Sequence, residues 1–177
     1  MTSALERYLL EDHQRLDGLL TRALADEAHF DAEAFEAFRA GLLRHIGIEE
    51  RLLLPWARGR RGGTPLPITS VLRIEHAALA SLLVPTPDRG LAIEIRNLLV
   101  GHNLREEGAE GLYAQCATLG GGDEMLVERM RAQPAPPLAR HFDGPGTVRS
   151  AAAALEVATR ALTRRAGRAP TGTMAGR

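Results

Sequence analysis

The sequence predicts an all-α protein: an antiparallel up-down four-helix bundle followed by additional C-terminal helices. Three observations predict it. Apolar residues recur at intervals of three and four over four long segments, which is the helical period. Short stretches of Gly, Pro and capping residues join these segments, so consecutive helices fold back as antiparallel neighbours. Strand signals are absent.

The first helix runs from about Ser3 to Asp26, with an inward stripe of Tyr8 or Leu9, His13, Leu16, Leu20 and Ala23. The second starts near Asp31, a carboxylate suited to capping the free N–H groups of a helix start, and ends near Trp56 or Ala57. Its stripe is Phe35, Phe38, Leu42, His45, Glu49, Leu52 and Trp56. The glycines and prolines of RGRRGGTPLPITS, residues 58–70, make a loop. The third helix runs from about Ser70 to just before Pro85, with a stripe of Leu72, His76, Leu79 or Ala80, and Leu83. A tight PTPD link with Asp88 as cap leads to the fourth, which extends to about Leu119. Its stripe is Leu91, Ile95, Leu98 or Leu99, His102, Glu106, Ala109 and Tyr113. Helices one, two and four each span over about 30 Å at about 1.5 Å per residue.

The glycine run at 119–123 closes the bundle, which is expected to occupy residues 1–120. The extension, 121–177, carries a short helix near Asp123–Arg131 and another over Val148–Arg165. The second is alanine-rich; it docks on the bundle, pairs with another chain, or frays. The end, AGRAPTGTMAGR, reads as disordered.

Of the 177 residues, 45% are hydrophobic, enough for a real core. The formal net charge of zero gives no reason to expect a nucleic acid or an anionic membrane as partner. That zero hides an asymmetry, since residues 134–177 carry seven arginines against Asp143 and Glu156. The chain has no lysine. The single cysteine, Cys116, forbids an internal disulfide, and a buried small hydrophobe is its expected role. No signal peptide or membrane-spanning run is visible, and a cytoplasmic location is expected.

Each of the four bundle helices places one histidine on its inward stripe: His13, His45, His76 and His102. Two have a glutamate four residues on, Glu49 and Glu106, on the same helical face. A core-facing histidine alone is usually a hydrogen-bonded structural residue. Two inward carboxylates among leucines are harder to explain, because burying charge is expensive and the pair repel each other. A metal-free polar network is the competing explanation, but no ring of Ser or Asn is present to complete it. A cationic centre takes up the imidazole lone pairs and neutralises the carboxylates. The economical arrangement is two metals, each with two histidines, spanned by Glu49 and Glu106. Nitrogen and oxygen donors without thiolate favour iron, with manganese or zinc as alternatives.

The segments EDHQRL (His13), RHIGIEE (His45, Glu49), IEHAAL (His76) and GHNLREE (His102, Glu106) together resemble the hemerythrin HHE family over roughly residues 5–118. The resemblance implies a four-helix bundle holding two non-haem irons, with an oxo or hydroxo bridge and two bridging carboxylates. It implies that His13 and His45 hold one iron, and His76 and His102 the other. The sequence departs from the oxygen-carrying members. Those have a fifth histidine on helix three, where Leu72 and Ala80 stand here, and a bridging aspartate five residues after the helix-four histidine, where Glu107 stands. A reversible oxygen carrier is therefore not expected, and the His76–His102 iron has a spare position.

Glu75 and Glu107 lie one residue off their stripes, which places them beside a ligand or on the surface. Tyr8 and Tyr113 lie near inward stripes, where a ring packs in the core or its hydroxyl reaches the centre. His29, His141 and the Arg58, Arg60, Arg61 run fall outside the pattern. The leading functional expectation is a di-iron protein that binds or reduces dioxygen, hydrogen peroxide or nitric oxide; as an enzyme it would be a di-iron oxidoreductase. Iron or oxygen sensing without turnover, and a metal-free interaction bundle self-associating through its last helix, are the alternatives.

Overall fold

The computed structural model describes residues 3–120 and 124–166, and among them every regular element is helical. The glycine run at 121–123 and the end from 167 lie outside the described residues. Helix α1, Ala4–Leu24, starts at a capping box: the Ser3 hydroxyl accepts the Glu6 N–H while Glu6 accepts the Ser3 N–H. Helix α2, Ala32–Ile48, is capped by Asp31, which accepts the Ala34 N–H at 2.9 Å. It passes through a π-helical turn, Glu49–Leu53, into α3, Leu54–Arg60. Helix α4 spans Thr69–Leu82, and α5 spans Arg89–Glu107 under an Asp88 cap. Helices α6, Leu112–Thr118, α7, Glu124–Ala132, and α8, Ala151–Ala166, are the remaining elements among the described residues. The bundle is built from α1, the α2–α3 rod, α4 and α5, as the stripes predict.

Two boundaries differ from the sequence expectation, both for local reasons. The second helix continues to Arg60 and changes register on the way. Pro55 has no N–H to give, and its ring crowds the carbonyl one turn back. The turn ahead of it widens, and the Leu54 N–H bonds to Glu49 O, five residues back. The extra residue moves the stripe on by one, so Leu53 and Ala57 are buried where Leu52 and Trp56 were expected. The fourth helix does not run unbroken to Leu119. It stops at Glu107, and Ala109 is exposed. Gly111 sits so close to the end of α5 that a Cβ there would lie 2.6 Å from the carbonyl oxygens of Arg105 and Glu106.

The core is in two parts. One holds Leu16, Leu20, Phe35, Phe38, Leu82 and Ile95. The other holds Leu5, Leu9, Leu53, Leu72, Leu112 and Met130. A layer of buried histidines and carboxylates lies between these two sets along the helices.

The extension is tied to the bundle. Buried Arg39 donates to Leu83 O and to Ala139 O, holding the 134–143 segment. Arg44 donates to the carbonyls of Met130, Arg131 and Gln133, satisfying acceptors at the C-terminal end of α7. His141, which falls outside the sequence pattern, meets Glu36 at 2.6 Å. Of the fates open to the last helix, docking is the one seen: α8 packs on α4 and α5, burying Ala154 and Ala158 in the first core. No described helix is long and apolar enough to cross a membrane.

Candidate metal centre

All six residues singled out in the sequence meet in the buried layer. Glu49, His76, His102 and Glu106 offer one group of ligand atoms; His13, His45 and Glu106 offer a second. Each group fits within 4.8 Å, and every member is buried. Glu106 belongs to both groups. Its Oε2 lies 3.4 Å from His13 Nε2, and its Oε1 lies 3.3 Å from His102 Nε2. Glu49 is divided the same way, with Oε1 3.5 Å from His45 Nε2 and Oε2 3.1 Å from His76 Nε2. Both glutamates therefore reach the two groups at once.

The fit to a cation shows in what these atoms lack. Glu49 Oε2, His76 Nε2, His102 Nε2 and Glu106 Oε1 are buried and have no hydrogen-bond partner. Some lie within hydrogen-bond distance of one another, but they aim at a common point. Stranding four such atoms in a core costs about 1–3 kcal/mol apiece, more for a charged carboxylate. A shared cation satisfies all of them, and nitrogen and carboxylate oxygen are ordinary ligands for iron, manganese or zinc.

The outer nitrogens are fully engaged, each by a carboxylate from another helix. His45 Nδ1 meets Asp12 at 3.0 Å, His76 Nδ1 meets Glu50 at 2.9 Å, His102 Nδ1 meets Glu75 at 3.1 Å, and His13 Nδ1 meets Glu107 at 2.5 Å. The four contacts close a ring: α1 supports α2, the π turn supports α4, α4 supports α5, and α5 supports α1. A carboxylate accepts, so in a neutral ring Nδ1 carries the proton and Nε2 turns its lone pair inward. Glu75 and Glu107 were expected beside the ligands or at the surface; both stand beside ligands. Asp12 and Glu50 were missed. The available signal was adjacency, since each supporting acid is next in sequence to a proposed ligand, in DH, EE, EH and EE pairs.

Charges in the layer perturb one another strongly. Burial opposes charge on His45, but Glu49, Asp12 and Glu106 outweigh it and push its pKa up to about 10. Burial would raise Asp12, yet His45 and Arg15 hold it down at about 2. Burial likewise works against the Glu49 carboxylate, but His45 and His76 keep its pKa well below the usual range. His76 is raised well above its ordinary value, with Glu106, Glu49 and Glu50 overcoming burial.

Of the two tyrosines, Tyr113 reaches the centre and Tyr8 does not. Tyr113 is fully buried; its hydroxyl donates to Glu49 Oε1 at 2.9 Å and lies 3.0 Å from His13 Nε2. Burial, then the charges of Glu49 and Glu106, hold its pKa well above the usual phenol value. The Tyr8 hydroxyl instead meets Met130 O and Arg44. Cys116 is buried as expected, which pushes its thiol up to about 12. His29 is exposed. Arg58 and Arg61 turn to the carbonyls of Gly63 and Thr64.

A cavity of about 70 Å³ opens between α1 and α5, space for a few water-sized molecules. His13, His45 and His102 line it, with Leu16, Leu20 and Leu42 as apolar wall. Asp17 and Arg96, both exposed, lie at its outer edge.

Fold and site together define the class: a four-helix bundle whose core carries two overlapping His/Glu groups able to coordinate a pair of metal ions. Residues 5–114 match the Hemerythrin HHE cation binding domain, and the chain belongs to that family. No curated protein and no solved structure matches it.

Proposed function

We propose that this protein is a non-haem di-iron protein that binds or reduces a small molecule such as dioxygen, hydrogen peroxide or nitric oxide. His13 and His45 would hold one metal and His76 and His102 the other, with Glu49 and Glu106 supplying carboxylate oxygens to both. The observation that carries this reading is the set of four buried, partnerless atoms, two nitrogens and two carboxylate oxygens, converging on one point. When bound, a ferrous pair supplies electrons to a small oxidant.

The chain's own residues do the rest. Asp12, Glu50, Glu75 and Glu107 fix the four imidazoles so that every Nε2 faces inward. The apolar sets on either side of the layer exclude bulk water. The cavity between α1 and α5 suits a ligand of a few atoms and is too small for an extended organic substrate.

Elemental analysis of protein purified without chelators, followed by stopped-flow mixing of the ferrous form with each oxidant, tests the reading. Two irons per chain and a spectral change with at least one oxidant are expected. Joint substitution of His45 and Glu49 should abolish both. A protein with no metal, or with two metals and no response to any of the three molecules, sinks it. Two irons that respond without turnover would place the protein among sensors.

A further inference from the structure

The two halves of the centre are unequally supplied with donors. Around His76 Nε2 and His102 Nε2 stand Glu49 Oε2 and Glu106 Oε1, four atoms in all. Around His13 Nε2 and His45 Nε2 stand Glu49 Oε1, Glu106 Oε2 and a fifth atom, the Tyr113 hydroxyl oxygen. That oxygen lies 2.9 Å from Glu49 Oε1, 3.0 Å from His13 Nε2, 3.3 Å from Glu106 Oε2 and 3.4 Å from His45 Nε2.

A hydroxyl has a single proton, so it cannot donate fully to both Glu49 Oε1 and Glu106 Oε2, and it accepts from a ring only where that Nε2 carries a proton. The spacing has another explanation. Atoms bound at about 2.1 Å to one ion stand about 3.0 Å apart at right angles and about 3.4 Å apart at tetrahedral angles. The other separations in this half fall close to the same range: 2.9 Å between His13 Nε2 and His45 Nε2, 3.4 Å from His13 to Glu106, and 3.5 Å from His45 to Glu49. The Tyr113 oxygen therefore stands at ligand spacing from the His13, His45 and Glu106 atoms, with Glu49 Oε1 beside it.

We infer that Tyr113 is a further metal ligand, completing the half held by His13 and His45. The inference rests on the metal pair proposed above. As the metal–oxygen bond forms the O–H bond breaks, and the proton leaves to solvent. The two metals are then inequivalent, and the half held by His76 and His102 is the one with fewer protein donors.

The test compares wild-type protein, Tyr113→Phe and Tyr8→Phe, each loaded with ferrous iron, oxidised in air and assayed for bound iron. Visible absorption and resonance Raman spectra are then recorded. Wild type and Tyr8→Phe should show a phenolate-to-ferric charge-transfer band with enhanced tyrosine ring modes. Tyr113→Phe should lose both while keeping bound iron. Iron-loaded wild type without tyrosine modes overturns the inference, as does a Tyr113→Phe spectrum that still carries them. The wild-type Raman spectrum decides the first point even where Tyr113→Phe folds poorly. Wild type that binds no iron overturns the metal pair itself, a result distinct from iron bound without tyrosine modes.

Discussion

A buried imidazole has two nitrogens to satisfy, and in this protein the two are treated differently. Each Nδ1 meets a carboxylate from another helix, leaving Nε2 directed at the centre. Such a support fixes ring orientation and raises ligand basicity. Asp12 shows the effect most clearly, because it is buried, held ionised by His45 and Arg15, and bound to the His45 ring. Asp12→Asn keeps the shape and an acceptor oxygen but removes the charge. We expect it to weaken metal binding about 10-fold or more, within the range for such outer partners, with the helical circular dichroism unchanged. Competition against a chelator of known affinity measures it, and unaltered affinity would show the carboxylate to be structural only.

Two interruptions in otherwise regular helices shape the site. The π turn keeps Glu49 in the layer and lets its neighbour Glu50 reach His76 across the bundle. The break after Glu107 starts a new helix at Leu112, from which Tyr113 enters the layer. Gly111 has an ordinary φ of −73°, so it is required for space rather than for an unusual backbone conformation. Gly111→Ala forces the α5–α6 junction apart, and a cost of about 1–3 kcal/mol is expected, as for other overpacked sites. Gly18 in α1 provides the contrast, since a Cβ there meets nothing within 4 Å. Gly18→Ala should stabilise by about 0.4–1 kcal/mol through the unfolded chain. Urea denaturation of both variants gives the two values, and equal signs would contradict the packing argument.

At the scale of the molecule, two apolar plugs enclose one charged layer. Without a cation the layer is held by its own protons, among them that on His45, whose pKa is raised to about 10. That protonation stabilises the metal-free fold fully below the unfolded value near 6.5 and is lost as pH rises through about 10. A metal ligand must give up the same proton, so metal binding strengthens as pH rises. Both effects have the same sign. Metal-loaded protein should therefore melt at a higher temperature than stripped protein, and the gap should widen between pH 6 and pH 8. Differential scanning calorimetry of the two forms checks it; a gap that is absent, or that shrinks with pH, would rule out a stabilising metal layer.

Periodicity alone determined the helical class, the four rods and the six inward-facing side chains, because the helical repeat fixes which residues share a face before any partner is known. Asp31 and Asp88 were readable as caps for the same local reason. What only the tertiary structure decided were relations between helices. The pairing of Asp12 with His45, rather than with its neighbour His13, depends on which rod lies alongside. Pro55 shifted the buried stripe from Leu52 and Trp56 to Leu53 and Ala57 through a local widening of the helix. The entry of Tyr113 into the layer depends on how closely Gly111 lets a new helix start beside the old one. Sequence spacing gives direction along and around a single helix; the distance from one helix to the next is set by packing, and the chemistry of this centre is a matter of those distances.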